Sequence, residues 1–307
     1  MLSAGLVAGL LSVPGPAAAA PGTGSAPTPT ASAPPAGAML PAGAEATDRV
    51  GTTAQTDPAL AARAAFGAAG AVTVLVTPQD PAQVPGTTAD ASARSVAGTS
   101  AAGDVGSPVP TASLVKLYLA EGVLAAARVA GAPLPAADLQ RIEAMLTVSD
   151  DAAASELWVA HDGAAVLADV VARYGLTGTA PPTPDPGVWG STTTTAADLA
   201  RFLVQLPDVA HPDDADRVLG ALHRATPLGA DGFDQSFGLL GADLLEREPD
   251  VAAKQGWMCC LDGVRHLHSV GLVAGTVVVL LAAFPTEVEW PAARSALDAA
   301  AEAATGS

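Results

Sequence analysis

The sequence predicts an α+β fold, in which strands from both ends of the chain form one antiparallel sheet with flanking helices, and an all-helical lobe is inserted between them. Three observations indicate this. A β-branched run, Ala71–Thr77, opens the region that is rich in large apolar residues. Helical periodicity then dominates residues 113–224, and three consecutive strand-like runs and a helix end the chain. Strands at both ends with helices between them are joined most simply as one sheet that carries a helical insertion.

The N-terminal region contributes little to a core. Residues 1–20 contain an apolar stretch, Leu2–Val13, and then a run of alanines, a pattern typical of a secretory signal peptide. No Lys or Arg precedes the stretch, so an Ala-rich tail or a misplaced start codon is the alternative. Residues 21–56 are mostly Pro, Ala, Gly, Thr and Ser and predict a disordered linker before a folded domain at 57–307. We therefore expect a secreted, envelope-associated protein.

The charge balance excludes some partners. The formal net charge is −17, with only 14 basic residues. An acidic chain without basic clusters is a poor partner for nucleic acid or for an anionic membrane surface. The longest apolar run of the folded part, Val277–Phe284, has the length of a strand, so we expect no membrane span in the mature chain.

The elements of the first half follow from local patterns. After the first strand, Ser92–Thr99 predicts a weaker second one. Thr195 and Asp198 begin a helix in the manner of a capping box, and it runs to about Leu206. The Pro- and Gly-rich segment Pro181–Gly190 is a loop. Apolar residues at helical spacing predict further helices at Ser113–Val129, Ala136–Leu146, Asp151–Val159, Ala164–Tyr174 and Asp213–His223.

Strands return after a loop at Ala225–Pro249. Val251–Leu261 and Val264–Leu272 flank Asp262 and Gly263, a pair of residues that favours a two-residue hairpin turn. The remaining elements are a third strand and a closing helix, at Thr276–Phe284 and Pro291–Ala303.

Only two lysines occur in the chain, and each lies in a short motif. Lys116 ends the string Ser113-Leu-Val-Lys116, and Lys254 opens the string Lys254-Gln-Gly. The other 12 Lys or Arg residues are all Arg, since the chain has 14 in total and two are Lys. A partly buried lysine can lose its proton whereas Arg cannot, so keeping Lys at these two positions indicates a role that Arg cannot fill.

The spacing of Ser113 and Lys116 fits nucleophilic catalysis. Three residues apart at a helix start, the two side chains share one face. An unprotonated Lys116 can accept the hydroxyl proton when burial and a nearby Lys254 lower its pKa. A lone motif of this kind is more simply an N-cap serine followed by a solvated lysine. The scarcity of lysine and two further motifs in order favour the catalytic interpretation.

The two further motifs also have structural interpretations. Ser149, in Ser149-Asp-Asp151, is either the N-cap of the next helix or a hydroxyl that relays a proton, and both can hold together. Lys254 can be a strand-edge lysine that discourages edge pairing. Gly256, two residues later, permits close approach of a ligand to the backbone, which an edge lysine does not explain.

Together these strings resemble the class A β-lactamase and penicillin-binding serine hydrolase superfamily, from about residue 72 to the C-terminus. The stretches that carry the resemblance are PTASLVK, MLTVSDDAAASELW, GVWGSTTTTAADLARFL and AAKQGW. The resemblance implies that Ser113 is the acylated nucleophile and Lys116 its base. It implies that Ser149 shuttles the proton, and that Lys254 orients Ser149 and attracts a substrate carboxylate. The backbone N–H groups of Ser113 and Trp257 would form the oxyanion hole.

Three departures from the family pattern matter. Two concern substrate binding, which the resemblance assigns to positions 151, 255 and 256, and the third concerns deacylation. Asp151 replaces an Asn that donates a hydrogen bond, and a carboxylate can only accept one. Gln255, before Gly256, replaces a Thr or Ser. The loop Pro181–Gly190 has no Glu to activate a deacylating water, only Asp185. An efficient β-lactamase is therefore not expected.

Three functions remain open. The first is an exported serine hydrolase or acyltransferase that acts on a D-amino-acid peptide of the cell wall, such as peptidoglycan, or on a β-lactam. The second is a degenerate enzyme of the same fold that binds wall peptide or a protein. The third is a weak β-lactamase that activates water with another group, such as Asp185. None of the three needs a cofactor or metal.

Other residues have two interpretations each. His266 and His268 alternate on one strand face beside Arg265, and either bind a metal or border the pocket. Trp189 and Trp257 are core residues by default, with pocket walls as the alternative.

The only two cysteines, Cys259 and Cys260, are adjacent. They are either two buried thiols on opposite faces of a strand or a disulfide between neighbours, which an exported location would favour.

Overall fold

The computed structural model describes residues 57–79, 98–183, 185 and 187–306. The predicted signal peptide and linker, at 1–20 and 21–56, lie outside the described residues.

A five-stranded antiparallel sheet has strands from both ends of the described chain, as predicted. Its order is β2-β1-β7-β6-β5, so the strand that carries Lys254 is an outer strand of this sheet. The strands are β1 (Ala71–Pro78), β2 (Ser100–Ala102), β5 (Val251–Cys259), β6 (Val264–Val273) and β7 (Thr276–Pro285). Two short strands, β3 (Val109–Pro110) and β4 (Thr193–Thr194), pair separately.

The α+β prediction is confirmed, with corrections to two strand boundaries. The second strand was expected at Ser92–Thr99; residues 92–97 lie outside the described residues, and the observed β2 follows a turn at Gly98 (φ +88°). The hairpin between β5 and β6 is real, but its turn is longer than two residues, because Cys259 pairs with Arg265.

The helices of the middle region lie close to their predicted positions. Two helices were not predicted: Pro58–Phe66, and Ala242–Arg247 within the segment expected to be a loop. Both are short, so periodicity identifies them poorly. The helices are α1 (Pro58–Phe66), α2 (Val115–Ala130), α3 (Ala136–Thr147), α4 (Asp151–Ala160), α5 (Gly163–Tyr174), α6 (Ala196–Val209), α7 (Pro212–His223), α8 (Ala242–Arg247) and α9 (Trp290–Thr305).

Two apolar cores lie on the two faces of the sheet. Helices α1 and α9 cover one face, where Phe66 packs on Phe284 at 5.3 Å between ring centroids. Helices α2 to α7 form the second core, and α6 and α7 of this group contact the sheet strands. No helix within the described ranges is long and apolar enough to cross a membrane.

Candidate active site

The site begins at the turn that leads into α2. Ser113 lies in a 3-10 helix, Ala112–Leu114, and Lys116 is the second residue of α2. Ala112 has a left-handed backbone (φ +47°), which is uncommon for a residue with a Cβ and costs about 1–3 kcal/mol. The turn brings the Lys116 Nζ to 3.0 Å from the Ser113 Oγ, and both side chains are buried. This is hydrogen-bond distance for proton transfer between the two groups.

Ser149 lies in a second strained turn, between α3 and α4. Its backbone is also left-handed (φ +54°). The N-cap of α4 is Asp150, whose carboxylate accepts from the backbone N–H of Ala153 at 3.0 Å. Of the two interpretations of Ser149, the N-cap is therefore not observed, because the neighbouring carboxylate takes that position. The Ser149 hydroxyl is left to face the two lysines.

Both lysines reach Ser149. Its Oγ lies 2.8 Å from the Lys254 Nζ and 3.1 Å from the Lys116 Nζ. Lys116 also donates to the Ser149 carbonyl oxygen at 2.7 Å. Hydrogen-bond contacts thus connect Ser113, Lys116, Ser149 and Lys254 in this order. These residues come from three separate segments of the sequence, and a proton can be transferred along the contacts.

Burial disfavours the charge on both amines. Lys116 and Lys254 are 0% and 1% exposed. Desolvation is the largest influence on the Lys116 pKa and lowers it, while the carboxylate of Asp151 partly opposes this. Desolvation, and then the charge of Lys116, hold the pKa of Lys254 well below its usual value. A lowered pKa increases the fraction of the amine that is neutral, and therefore able to act as a base, at a given pH.

The backbone of β5 passes close to the nucleophile turn. A Cβ placed on Gly256 would lie 3.1 Å from the Thr111 carbonyl oxygen and 3.4 Å from the Ser113 backbone nitrogen. Only glycine permits this approach without displacing the turn. Trp257 follows immediately, so the residues predicted to form the oxyanion hole are brought together at the edge of the sheet.

A groove of about 370 Å³ opens above Ser113. Trp189 and Trp257 both line it, so the alternative that they are pocket walls is observed, and each ring also packs against one of the two cores. The Trp189 indole N–H donates to the Ser155 Oγ at 3.1 Å, and this bond holds the ring at the groove. The lining residues are Ala112, Ser113, Asp151, Gly187, Val188, Trp189, Gly190, Trp257 and Met258.

Comparison with known proteins decides the family. The profile of the β-lactamase enzyme family matches residues 127–306, more than half of the chain. The chain belongs to the β-lactamase enzyme family. The match begins after Ser113 and Lys116, so these two residues are placed in the site by the geometry above.

Curated relatives include "Putative lipoprotein LppW" of Mycobacterium tuberculosis and of Mycobacterium bovis, each 40% identical over 169 residues. The alignment covers 54% of this chain and 52% of the relative, so the chain spans about half the length of the curated relatives it matches.

Solved structures share the family fold. A β-lactamase from Chitinophaga pinensis has a TM-score of 0.62 at 14% identity, covering 81% of this chain and 98% of that one. A β-lactamase from Sphaerobacter thermophilus has a TM-score of 0.58 at 17% identity, with 81% and 95% covered. A mutant of PBP-A in an acyl-enzyme complex with penicillin G has a TM-score of 0.56 at 17% identity, with 80% and 96% covered. At these identities the similarity shows the fold alone.

Asp151 lies in the groove and contacts the candidate base. Its Oδ1 is 2.5 Å from the Lys116 Nζ, and its side chain is 68% exposed. This carboxylate favours the protonated form of Lys116, against the effect of burial. This chain therefore has a hydrogen-bond acceptor at position 151, where the resemblance leads us to expect the hydrogen-bond donor of an Asn side chain.

Gln255 does not join the site. It is buried, and its amide nitrogen donates to the Phe237 carbonyl oxygen. Successive side chains of a strand point to opposite faces, so Lys254 and Gln255 cannot both face the groove. The prediction that the Gln255 side chain contacts substrate is wrong for this reason.

The loop expected to carry a water activator offers none in contact with Ser113. Asp185 is exposed, and its Oδ1 accepts from the backbone N–H of Gly187 at 2.9 Å. Its carboxylate is not among the groups that line the groove.

The histidines and Arg265 are not among the residues that line the groove. His268 is buried and contacts the Pro110 carbonyl oxygen at 3.0 Å, and burial lowers its pKa to about 3. The Arg265 guanidinium packs over the Trp290 ring at 5.1 Å. The prediction that one of these side chains borders the pocket is therefore wrong. Within the described ranges, no group of three His, Cys, Asp or Glu residues is arranged to hold a metal.

Cys259 and Cys260 form a disulfide across a cis peptide bond at the end of β5, and both residues are exposed. The alternative of two buried thiols is not observed.

One residue that contacts the groove wall had no signal in the sequence. Asp231 lies in the loop between α7 and α8, and its Oδ2 accepts from the Trp257 indole N–H at 3.1 Å. A single acidic residue in a polar loop has no distinguishing pattern, so only the fold reveals its position.

Proposed function

We propose that this chain is a serine hydrolase or acyltransferase of the cell envelope that forms an acyl-enzyme through Ser113. The observation that carries the proposal is the position of the Lys116 Nζ, 3.0 Å from the Ser113 Oγ and 3.1 Å from the Ser149 Oγ. A buried amine between two hydroxyls can accept a proton from one and return it through the other.

The chemistry follows from these contacts. Neutral Lys116 takes the hydroxyl proton of Ser113, whose Oγ bonds to the substrate carbonyl carbon. Charge develops on the carbonyl oxygen, where the N–H groups of Ser113 and Trp257 would stabilise it. The bond to the leaving group then breaks, and the leaving amine or alcohol receives its proton from Lys116 through Ser149. Water or an acceptor amine releases the acyl group by the reverse path.

The substrate class and location rest on similarity. A mutant of PBP-A, which has this fold, forms an acyl-enzyme with penicillin G, which supports a D-amino-acid peptide of the cell wall or a β-lactam as substrate. The curated relatives are named as lipoproteins. That name, together with the predicted signal peptide at 1–20 and linker at 21–56, supports an exported protein with its folded domain at 57–307.

Intact-mass spectrometry tests the proposal. We expect an uncharged fluorophosphonate to form a single adduct with the wild-type chain. We expect benzylpenicillin also to form a single adduct, at a lower rate. Ser113→Ala should show neither adduct, with Ser295→Ala, an exposed serine of α9 on the other face of the sheet, as the matched control. Absence of both adducts in the wild type, or retention of an adduct in Ser113→Ala, would contradict the proposal.

A second function is favoured by one observation. The ion pair of 2.5 Å between Asp151 and Lys116 favours the ammonium form of the base. If it keeps Lys116 protonated at neutral pH, the groove binds a wall peptide without reacting. Binding of a peptide without any adduct would support this alternative.

A further inference from the structure

The indole ring of Trp189 covers the amine of the candidate base. The Lys116 Nζ lies over this ring, 5.0 Å from its centroid. Trp189 is half-buried and lines the groove together with Ser113, whereas Lys116 is fully buried. A molecule in the groove therefore meets the ring of Trp189 and not the amine of Lys116.

Trp189 is fixed at both its side chain and its main chain. The indole N–H donates to the Ser155 Oγ of α4 at 3.1 Å. The Trp189 carbonyl oxygen accepts from the Thr192 N–H at 3.0 Å, and the Thr192 carbonyl oxygen accepts from the Thr111 N–H at 2.7 Å. Thr111 lies two residues before Ser113. The ring is therefore held between α4 and the turn that presents the nucleophile.

The Lys116 amine is surrounded by protein atoms. Four oxygen atoms lie at hydrogen-bond distance from its Nζ: the Ser113 Oγ, the hydroxyl and carbonyl oxygens of Ser149, and the Asp151 Oδ1. A lysine amine forms at most three hydrogen bonds as a donor, so these contacts occupy its positions. A water molecule bonded to Lys116 would have to displace one of these groups or the Trp189 ring. Lys116 is therefore poorly placed to activate water for attack on an acyl group at Ser113.

The carboxylates near the groove do not replace Lys116 in this role. Asp151 is the one carboxylate among the groove-lining residues of the described chain, and its Oδ1 already accepts from Lys116. Asp185 does not line the groove, and its Oδ1 accepts from the Gly187 N–H. The described part of the site thus holds a base for acylation, but it holds no carboxylate in contact with Ser113 that would bring water to the acyl carbon.

Exclusion of water from a closed site protects a reactive intermediate from hydrolysis. We propose that Trp189 shields the acyl-enzyme from water beside Lys116, and that the acyl group is therefore transferred mainly to an acceptor amine. This inference rests on the proposed function and narrows it from a hydrolase or acyltransferase to an acyltransferase. The second substrate is then a primary amine of an amino acid or peptide, which enters the position that the leaving group has vacated.

The transfer step is the reverse of the step that released the leaving group. The amine nitrogen bonds to the acyl carbon, and the bond between this carbon and the Ser113 Oγ breaks. A proton of the amine passes through the Ser149 hydroxyl to Lys116, and Lys116 returns a proton to the Ser113 Oγ. The products are an amide and free Ser113, so the step needs no further reactant.

An N-acylated D-alanyl thioester tests the proposal, because its thiol leaves the groove once Ser113 is acylated. The thioester is incubated with the wild-type chain and with D-alanine, at saturating concentration, as the acceptor. Mass spectrometry then quantifies the amide that forms by transfer and the acid that forms by hydrolysis. We expect more amide than acid. With Ser113→Ala, neither product should form above the uncatalysed rate.

Trp189→Ala removes the shield and leaves the nucleophile and base in place. Without acceptor, we expect it to raise the rate of acyl-enzyme hydrolysis by at least about tenfold, which corresponds to about 1.4 kcal/mol in the barrier. Trp189→Phe is the matched control, because it keeps an aromatic ring over Lys116, and its hydrolysis should stay close to the wild-type rate. Ser155→Ala removes only the acceptor of the indole N–H, so its effect should lie between these two.

Labelling of Ser113 by the fluorophosphonate separates shielding from a general loss of structure. A disrupted turn would slow labelling and hydrolysis together, whereas loss of the shield raises hydrolysis in a chain that is still labelled. If Trp189→Ala does not fold, Ser155→Ala takes its place. A rise in hydrolysis in that variant supports the shield, and an unchanged rate overturns it.

The outcomes also separate this inference from the proposed function. If the fluorophosphonate labels Ser113 but the wild type gives no amide, or more acid than amide, the inference is overturned and the acyl-enzyme stands. An unchanged hydrolysis rate in a labelled Trp189→Ala chain would overturn the role of Trp189. If Ser113 is not labelled and the thioester is not turned over, the proposed function fails and this inference fails with it.

Discussion

The floor and the rim of the groove differ in how closely they follow the family pattern. The floor consists of Ser113, Lys116, Ser149 and Lys254, which are buried and in mutual contact. The rim departs from the pattern at the positions that would meet a substrate. It presents the Asp151 carboxylate, and the Gln255 side chain lies in the core.

The difference shows that reaction chemistry and substrate choice are carried by separate residues here. A proton path requires groups at fixed distances in a dry environment, so each floor residue depends on the others. The rim meets solvent and substrate and is free to change without breaking that path. We therefore expect changes on the floor to remove acyl-enzyme formation, and changes on the rim to alter its rate or its selectivity.

The largest expected effect is on the floor. Lys116→Arg keeps the positive charge but cannot lose its proton. We expect fluorophosphonate labelling of Ser113 to slow by at least about a hundredfold, which is the lower range for loss of a general base. The labelling rate would be measured by quenching the reaction at successive times and determining the labelled fraction by intact-mass spectrometry. Labelling at the wild-type rate would mean that Lys116 is not the base.

A smaller effect is expected at Asp151. Asp151→Asn removes the carboxylate that favours protonated Lys116 and restores a donor in the groove. We expect acylation by β-lactams or by peptides ending in D-Ala-D-Ala to speed up about ten- to hundredfold, since a hydrogen bond to a charged group contributes about 1.5–3 kcal/mol.

Asp150→Asn is the matched control for this change. It removes an adjacent charge, but Asn remains a good N-cap for α4, and Asp150 makes no described hydrogen bond to Lys116. Acylation that is slower in Asp151→Asn than in this control would mean that the carboxylate belongs to the chemistry.

The smallest effect is expected at Gln255. Gln255→Met should leave the labelling rate of Ser113 within about twofold, because its side chain lies on the opposite face of β5. It should lower the free energy of unfolding by about 1–3 kcal/mol, since the Phe237 carbonyl loses its buried donor. Chemical denaturation would measure this. A large loss of labelling, with the fold intact, would place Gln255 in the site after all.

Much of the fold and floor could be predicted from sequence because their signals are local. The β-branched run at Ala71–Thr77 and the lysine motifs each occupy a few neighbouring residues. Ser149 was identified as a site residue, but its capping role belongs to Asp150, since serine and aspartate are similarly good caps.

The rim could not be predicted because it depends on contacts between distant segments. Asp231 contacts Trp257 at the groove wall only because its loop packs beside the Ser149 turn, where the Ala230 N–H donates to the Val148 carbonyl oxygen at 2.7 Å. The face that Gln255 occupies depends on the register of β5 with β6, in which it pairs with Ser269. Neither the packing of this loop nor the register of the two strands produces a sequence pattern within a single segment.

The most direct test of the floor is the pH dependence of Ser113 labelling by the uncharged fluorophosphonate, with the modified residue located by peptide mapping. Burial lowers the pKa of Lys116 below its usual 10.5, and only the neutral amine is a base. We predict that the adduct lies on Ser113 and that the labelling rate rises with pH and levels off below pH 10.5. In Asp151→Asn, the rise should move to lower pH. An adduct on another residue, or a rate that does not rise with pH, would contradict the account.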